Sequence, residues 1–398
     1  MDRDTAFSVF ESLIICIAAV FVLLGTYARS FGDPAYSRLA TVLSLTKFGT
    51  WYIDRPLTEE PNRFEQRTID KVMVNGHLLS SKPPLLPLLM AGEYLAINHL
   101  AGWSLENDRD TDQILRIMAM TFMGLPYLLT LIFFAKSLQF VMSDAVGRAV
   151  ALFALAFGTQ LWGYSTNINN HVPGACAVMI ALYLALGMGS GHLPLSPARF
   201  FYFGLAAGLV PTLDMPATIF ALPAALYLLV KFPKPTLTWA TAGALLPVGA
   251  HLAIMVAVTG SPLPVQLRRD LYWYEGSFWR HPRGIDALTE PKGAYFFNMT
   301  FGRNGLFSLF PILLLGIVAA VRAIFRPASP LRGHILAGLV SFSILTAYYA
   351  LNTSNYGGEA YGFRWFICAM PVLLLMGAPV LSGLRRRWQW IFIGLMLG

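Results

Sequence analysis

Asp33 stands a few residues beyond the first long apolar run, in FGDPAYSRLATV. A carboxylate at such a rim can take the proton from an attacking hydroxyl. With Pro34 behind it, Asp33 also has the form of a helix N-cap, and the two roles are compatible. Lys82 closes the polar segment NGHLLSSKPPLL (75–86) and precedes two prolines and an apolar run. Lysine is a compact cation suited to a phosphate oxygen. The prolines restrict the backbone and open a helix whose N-terminus favours anions. The plainer alternative is an interfacial lysine that extends its amine to water. Between these two lie Asp54 and Asp70, each beside apolar residues, and Glu59, Glu60 and Glu65, which read as a solvated face. His77 and Ser81 are close enough in sequence to Lys82 to hydrogen-bond a sugar or a phosphate.

Further polar groups stand between apolar runs. YSTNINNHVP (164–173) carries Asn170 and His171, whose side chains both donate and accept and so suit sugar hydroxyls, or simply cap a turn. Asp214, in LVPTLDMPATIF, interrupts an apolar stretch between Pro211 and Pro216. A carboxylate at that depth is costly, which favours a helix break facing a polar pocket over a lipid-facing position. Arg268 and Arg269, followed by Tyr272–Tyr274, can bind phosphate and stack on sugar rings, or form an interfacial belt. The segment 352–366 gathers Tyr356, Glu359 and Arg364 among glycines. Arg364 is a second phosphate clamp or another snorkelling cation. There is no nucleotide-binding glycine loop, no HExxH and no Cys/His cluster, so no nucleotide or organic cofactor is expected. A divalent cation near Asp33 and Asp70 is possible, though no spacing demands one.

The elements that position these residues are membrane helices. Of 398 residues, 56% are hydrophobic and 13% charged, about half the charged share of a soluble domain. Apolar runs of spanning length recur near 7–28, 114–135, 145–163, 172–189, 200–213, 216–230, 236–258, 305–322, 333–351, 366–382 and 388–398. The expected fold is an all-α polytopic membrane protein of about 10–11 transmembrane helices, one domain over 1–398. The first run is expected to be a retained helix, since it lacks a basic leader and a cleavage site. Residues 83–102, with three prolines and Glu93, are expected to lie along the membrane as a juxtamembrane helix. The basic residues Lys136, Arg148, Arg199, Lys231, Lys234, Arg322, Arg326, Arg332 and Arg385–Arg387 then share the cytoplasmic side. Loops 29–113, 259–304 and 352–365 face outward and hold the polar chemistry. The net charge of +8 reports topology and gives no reason to expect nucleic acid. Ser37–Gly49 has an amphipathic pattern with Arg38 off its apolar side, and Gly49 ends it. Three cysteines, Cys16, Cys176 and Cys368, have no disulfide or metal spacing.

One helix, an acidic loop, an SKPPLL segment and then many spans resemble the GT-C superfamily of membrane glycosyltransferases, above all the protein mannosyltransferase and aminoarabinose transferase branch. Asp33 matches the family's catalytic Asp after the first span, with Pro34 where a Glu usually follows. Ser81-Lys82-Pro83-Pro84-Leu85 matches its KPP segment, with Ser81 where an acidic residue often stands. Gly362–Phe366, with Pro371 beyond, is similar to its arginine-bearing late loop. The resemblance implies inverting transfer of a sugar from a polyprenyl-phosphate donor to an acceptor hydroxyl, at the outer face of a membrane that in a bacterium is the inner one. Asp33 would be the base. Lys82, with Arg364 or Arg268 and Arg269, would stabilise the leaving phosphate, and Asp70 or Asp54 would supply the second carboxylate. The implied partners are the lipid-linked donor, membrane lipids and an acceptor of unidentified class. Two other readings are a flippase for a lipid-linked glycan, which needs no base, and a degenerate member acting as an envelope-assembly scaffold.

Overall fold

The computed structural model describes residues 7–26, 32–58, 68–326, 329–358 and 361–384. Among the described residues, four helices are long and apolar enough to cross a membrane: Arg109–Val141, His171–Ser190, Pro233–Thr259 and Arg332–Asn352. Shorter apolar helices stand among them, including Val9–Gly25, Ala145–Phe157, Pro197–Leu213, Thr218–Lys231, Leu314–Phe325 and Ala369–Ser382. Ten of the expected spans thus correspond to apolar helices, and 388–398 lies outside the described residues. The chain is an integral membrane protein.

Its two ends differ in chemistry. At one, Ser8 caps the first helix in a capping box with Glu11, and the buried Glu11 carboxylate accepts from Arg148 Nε at 2.9 Å. Arg332 donates to Ala323 O and Lys231 to Gly189 O, closing helix C-termini with cations. At the other end, the starts and ends of the same helices meet the long loops. Close packing between Pro197–Leu213 and Pro233–Thr259 depends on small residues: a Cβ on Gly204 would fall 1.8 Å from Ala240 O. As the flanking prolines foretold, the chain breaks at Asp214, between Pro197–Leu213 and the turn Met215–Ala217.

The first loop contains the expected short helices. Asp33–Leu43 runs into Ser44–Phe48 and ends at Gly49 in the left-handed region, φ +66°. Leu85–Ala101 lies alongside them: it begins beside Lys82, and the turn after it is fixed where Glu106 pairs with Lys47. One element was not expected. Strands Lys71–Val74 and His77–Ser80 form an antiparallel hairpin around Asn75 (φ +52°) and Gly76 (φ +83°). Both turn residues have positive φ, as an Asn-Gly hairpin turn requires. Val72, Val74 and Leu79 bury against Met255, Val258 and Val265, which seats the hairpin on the bundle. Arg38 differs from expectation too: it is fully buried instead of lying on a solvated side.

Candidate active site

The loops and helix ends enclose a cavity of about 1500 Å³, lined by Asp70, Ser81, Lys82, Asn170, His171, Asp214, Arg269 and Arg364 together with aromatic side chains. The hairpin makes its central ion pair. Lys71 pairs with Ser80 in the ladder, and Ser81 N donates to Asp70 O at 3.0 Å, so the two strands deliver Asp70 and Lys82 side by side. Lys82 Nζ is 2.7 Å from Asp70 Oδ1, and both side chains are largely buried. Burial pulls the Lys82 amine down from its ordinary range, and the Asp70 charge opposes this. Ser37 Oγ bonds to Asp70 O and to Ser80 Oγ, both at 2.6 Å, tying the hairpin mouth to the helix that carries Asp33. Gln266 donates to Ser81 O at 2.6 Å from the loop 259–304.

Asp33 sits at the cavity edge, where Gly32, Pro34 and Ala35 are part of the wall. Its carboxylate accepts from Ile69 N at 2.9 Å, and its carbonyl accepts from Thr68 Oγ1 at 2.9 Å. Trp279 Nε1 donates to Ile69 O at 2.9 Å and holds that segment from the other side. Partial burial raises the Asp33 pKa, the Ile69 amide lowers it, and the neighbouring Asp70 charge raises it further. Asp33 is the first residue of its helix, yet no side-chain bond caps that helix; the carboxylate reaches across to Ile69 instead.

Behind this pair lies a second polar array. Arg38 donates to Pro34 O at 2.9 Å and to Asn170 Oδ1 at 3.0 Å, while its Nε has no partner among the described residues. Burial pulls its guanidinium down to about 10. His171 Nδ1 lies 2.7 Å from Asp214 Oδ2. Arg364 is near enough to Tyr164 for its charge to act on the phenol, its buried Nε has no partner among the described residues, and its stem packs on Gly357, where a Cβ would come within 2.9 Å of Arg364 Cγ.

Other expected residues lie elsewhere. Asp54 accepts from Leu78 N at 2.9 Å and pairs with His77 at 3.4 Å, while His77 stacks on Tyr52; this cluster is outside the cavity lining. Arg268 pairs with Asp270 at the surface. Tyr356 is buried and donates to Glu290. Glu359, Glu59, Glu60 and Glu65 lie outside the described residues. Several wall residues had no sequence signal. Asp286 lines the cavity, accepts from Asn355 Nδ2 at 2.7 Å, and has its pKa raised by burial and by Asp70. Gln266 joins through a contact 185 residues apart in the chain, whereas Trp279, in the run of arginines and aromatics that the sequence offered for phosphate and sugar, joins through one 210 residues apart. Among the described residues, no group of three or more His, Cys, Asp or Glu side chains is placed to hold a metal ion. The cysteines are free.

No family model and no curated protein sequence matches the chain. Its fold is similar to two crystal structures of ArnT from Cupriavidus metallidurans. One is bound to undecaprenyl phosphate, with TM-score 0.54. The other is the apo state, with TM-score 0.53. Identity is 15% to each, over 96% of this chain. The chain spans 62% of the length of the ArnT chain. The shared architecture is that of a polytopic helical bundle.

Proposed function

We propose that the protein is a membrane glycosyltransferase that moves a sugar from a polyprenyl-phosphate carrier to an acceptor hydroxyl, with inversion, at the outer face of a bacterial inner membrane. The observation that carries this reading is the Lys82–Asp70 pair, buried in the wall of a large cavity at the polar end of an apolar bundle. The similarity in fold to a protein crystallised with undecaprenyl phosphate supports a lipid-linked donor. The gathering of cations at the opposite end supports an outward-facing cavity.

In this reading the donor phosphate enters beside Lys82 and competes with Asp70 for the amine. Arg364 and Arg269, which also line the cavity, add positive charge where the leaving phosphate develops its own. Asp33 takes the proton of the acceptor hydroxyl. The acceptor oxygen bonds to the anomeric carbon as the bond from that carbon to the phosphate oxygen breaks. The electron pair leaves with the phosphate. Attack opposite the leaving group inverts the anomeric centre. Asp70 supplies the second carboxylate that the Pro34 position lacks, and Asp54, tied to His77, takes no part.

The test is transfer of labelled sugar from polyprenyl-phosphate donors in proteoliposomes. Asp33→Asn and Lys82→Ala should each lower turnover by about 10²-fold or more in folded protein. Wild-type transfer in Asp33→Asn would remove the base. Donor binding without transfer from any donor would favour the flippase or the scaffold.

A further inference from the structure

We infer that the His171–Asp214 dyad is the subsite that reads a hydroxyl of the transferred sugar, with His171 Nε2 as the hydrogen-bond acceptor. The inference rests on the glycosyltransferase reading and concerns the same cavity. An ionised carboxylate only accepts, so the 2.7 Å contact puts the ring proton on Nδ1. In the neutral ring Nε2 then carries the lone pair, and no hydrogen bond among the described residues engages it, although His171 lines the cavity. The dyad is fixed in place. Cys368 Sγ lies 3.4 Å from Asp214 Oδ2 and 3.3 Å from His171 O, so its single S–H can serve either acceptor of the dyad. Gly174 lets the next turn close in: a Cβ there would stand 2.9 Å from Asp214 Cβ. His171 and Asp214 are 6% and 5% exposed. Pairing with each other offsets the cost of burying the carboxylate and the imidazole but leaves Nε2 unsatisfied, and a site built to bond a hydroxyl rejects sugars lacking it.

Position supports the assignment. The buried Arg38 lies within electrostatic reach of both Asp70 and Asp214 and touches Asn170, the neighbour of His171. The dyad and the Lys82–Asp70 pair thus line one cavity, with the buried Arg38 in electrostatic reach of both carboxylates, so a ring attached to a phosphate at Lys82 can extend toward His171. His251, whose buried Nδ1 has no partner among the described residues, lines the same cavity and offers a further polar contact.

The test compares the binding of bare polyprenyl phosphate with that of polyprenyl-phosphate-linked mannose, glucose and arabinose to the purified protein. Wild type should bind at least one of the three more tightly than the bare lipid, by about tenfold for one good hydrogen bond. His171→Ala should erase that gap while still binding the bare lipid. Asp214→Asn should do the same, because an amide N–H facing Nδ1 moves the ring proton to Nε2 and removes the acceptor. Lys82→Ala should weaken all four ligands alike. A gap that survives in both dyad variants, or wild type showing no gap for any of the three sugars while still binding the bare lipid, overturns this inference alone. Wild type that binds none of the four overturns the donor reading with it.

Discussion

Asp33 and Asp70 are carried by separate segments, yet each shifts the titration of its surroundings. A carboxylate acts as a base only when ionised. Burial and the Asp70 charge hold Asp33 above the ordinary 3.8, so kcat/KM should fall as the pH drops through a value above 3.8. That acid limb should vanish in Asp33→Asn. In Asp70→Asn it should move to lower pH, since a repelling charge is gone; an unmoved limb in a pH–rate titration would separate the two carboxylates. Lys82→Arg should retain more transfer than Lys82→Ala, because charge at the leaving phosphate is kept while the fit is altered. With Asp70 engaged by Lys82 and Asp33 by an amide, transfer should persist in EDTA; loss restored by a divalent cation would install a metal there. Lys82 was legible in the sequence because Lys-Pro-Pro before an apolar run has few structural uses. Arg38 and Asp286 were not, because their roles arise only from contacts with Asn170 and Asn355, far away in the chain.

The hairpin is the element that assembles the site. Its register sets Asp70 against Lys82, and its turn depends on Gly76 at φ +83°. Gly76→Val would force a branched side chain into the left-handed region at a cost of about 1–2 kcal/mol. The turn is exposed and outside the cavity lining, so the substitution should loosen the ion pair without touching substrate. Transfer should show a raised KM with a modestly lowered melting temperature; an unchanged KM would mean that the register does not govern Lys82. The Asn-Gly signal was present between two short β-branched or leucine-rich runs, but four-residue strands in a helical protein are too brief to stand out. The Asp214 break, by contrast, was legible, because two prolines and a carboxylate cannot continue a membrane helix. The short helices of the first loop were legible in their ends, with Gly49 as the stop, but not in how Arg38 is buried.

At the scale of the whole molecule, the bundle separates a cationic end from a cavity that gathers Lys82, Arg269 and Arg364 with Asp70, Asp214 and Asp286. The apolar periodicity foretold ten of the helices that build it, since spanning length is a property of local sequence. The enclosure of the cavity was not foretold, because it needs loop 259–304 to fold back on the hairpin and residues 353–355 to bond to that loop. The proposed orientation predicts the result of labelling with a membrane-impermeant maleimide in intact cells. In a background without reactive cysteines, Ser354→Cys, at the cavity wall, should react at once, and Lys234→Cys only after permeabilisation; the reverse pattern would turn the cavity to the cytoplasm. The most direct measurement of the central claim is a product count in proteoliposomes supplied with a polyprenyl-phosphate sugar and an acceptor. Glycosyl transfer predicts that free polyprenyl phosphate and inverted, glycosylated acceptor accumulate in equal amounts, and that neither forms in Asp33→Asn. Movement of intact donor across the bilayer, with no lipid phosphate released, would contradict it.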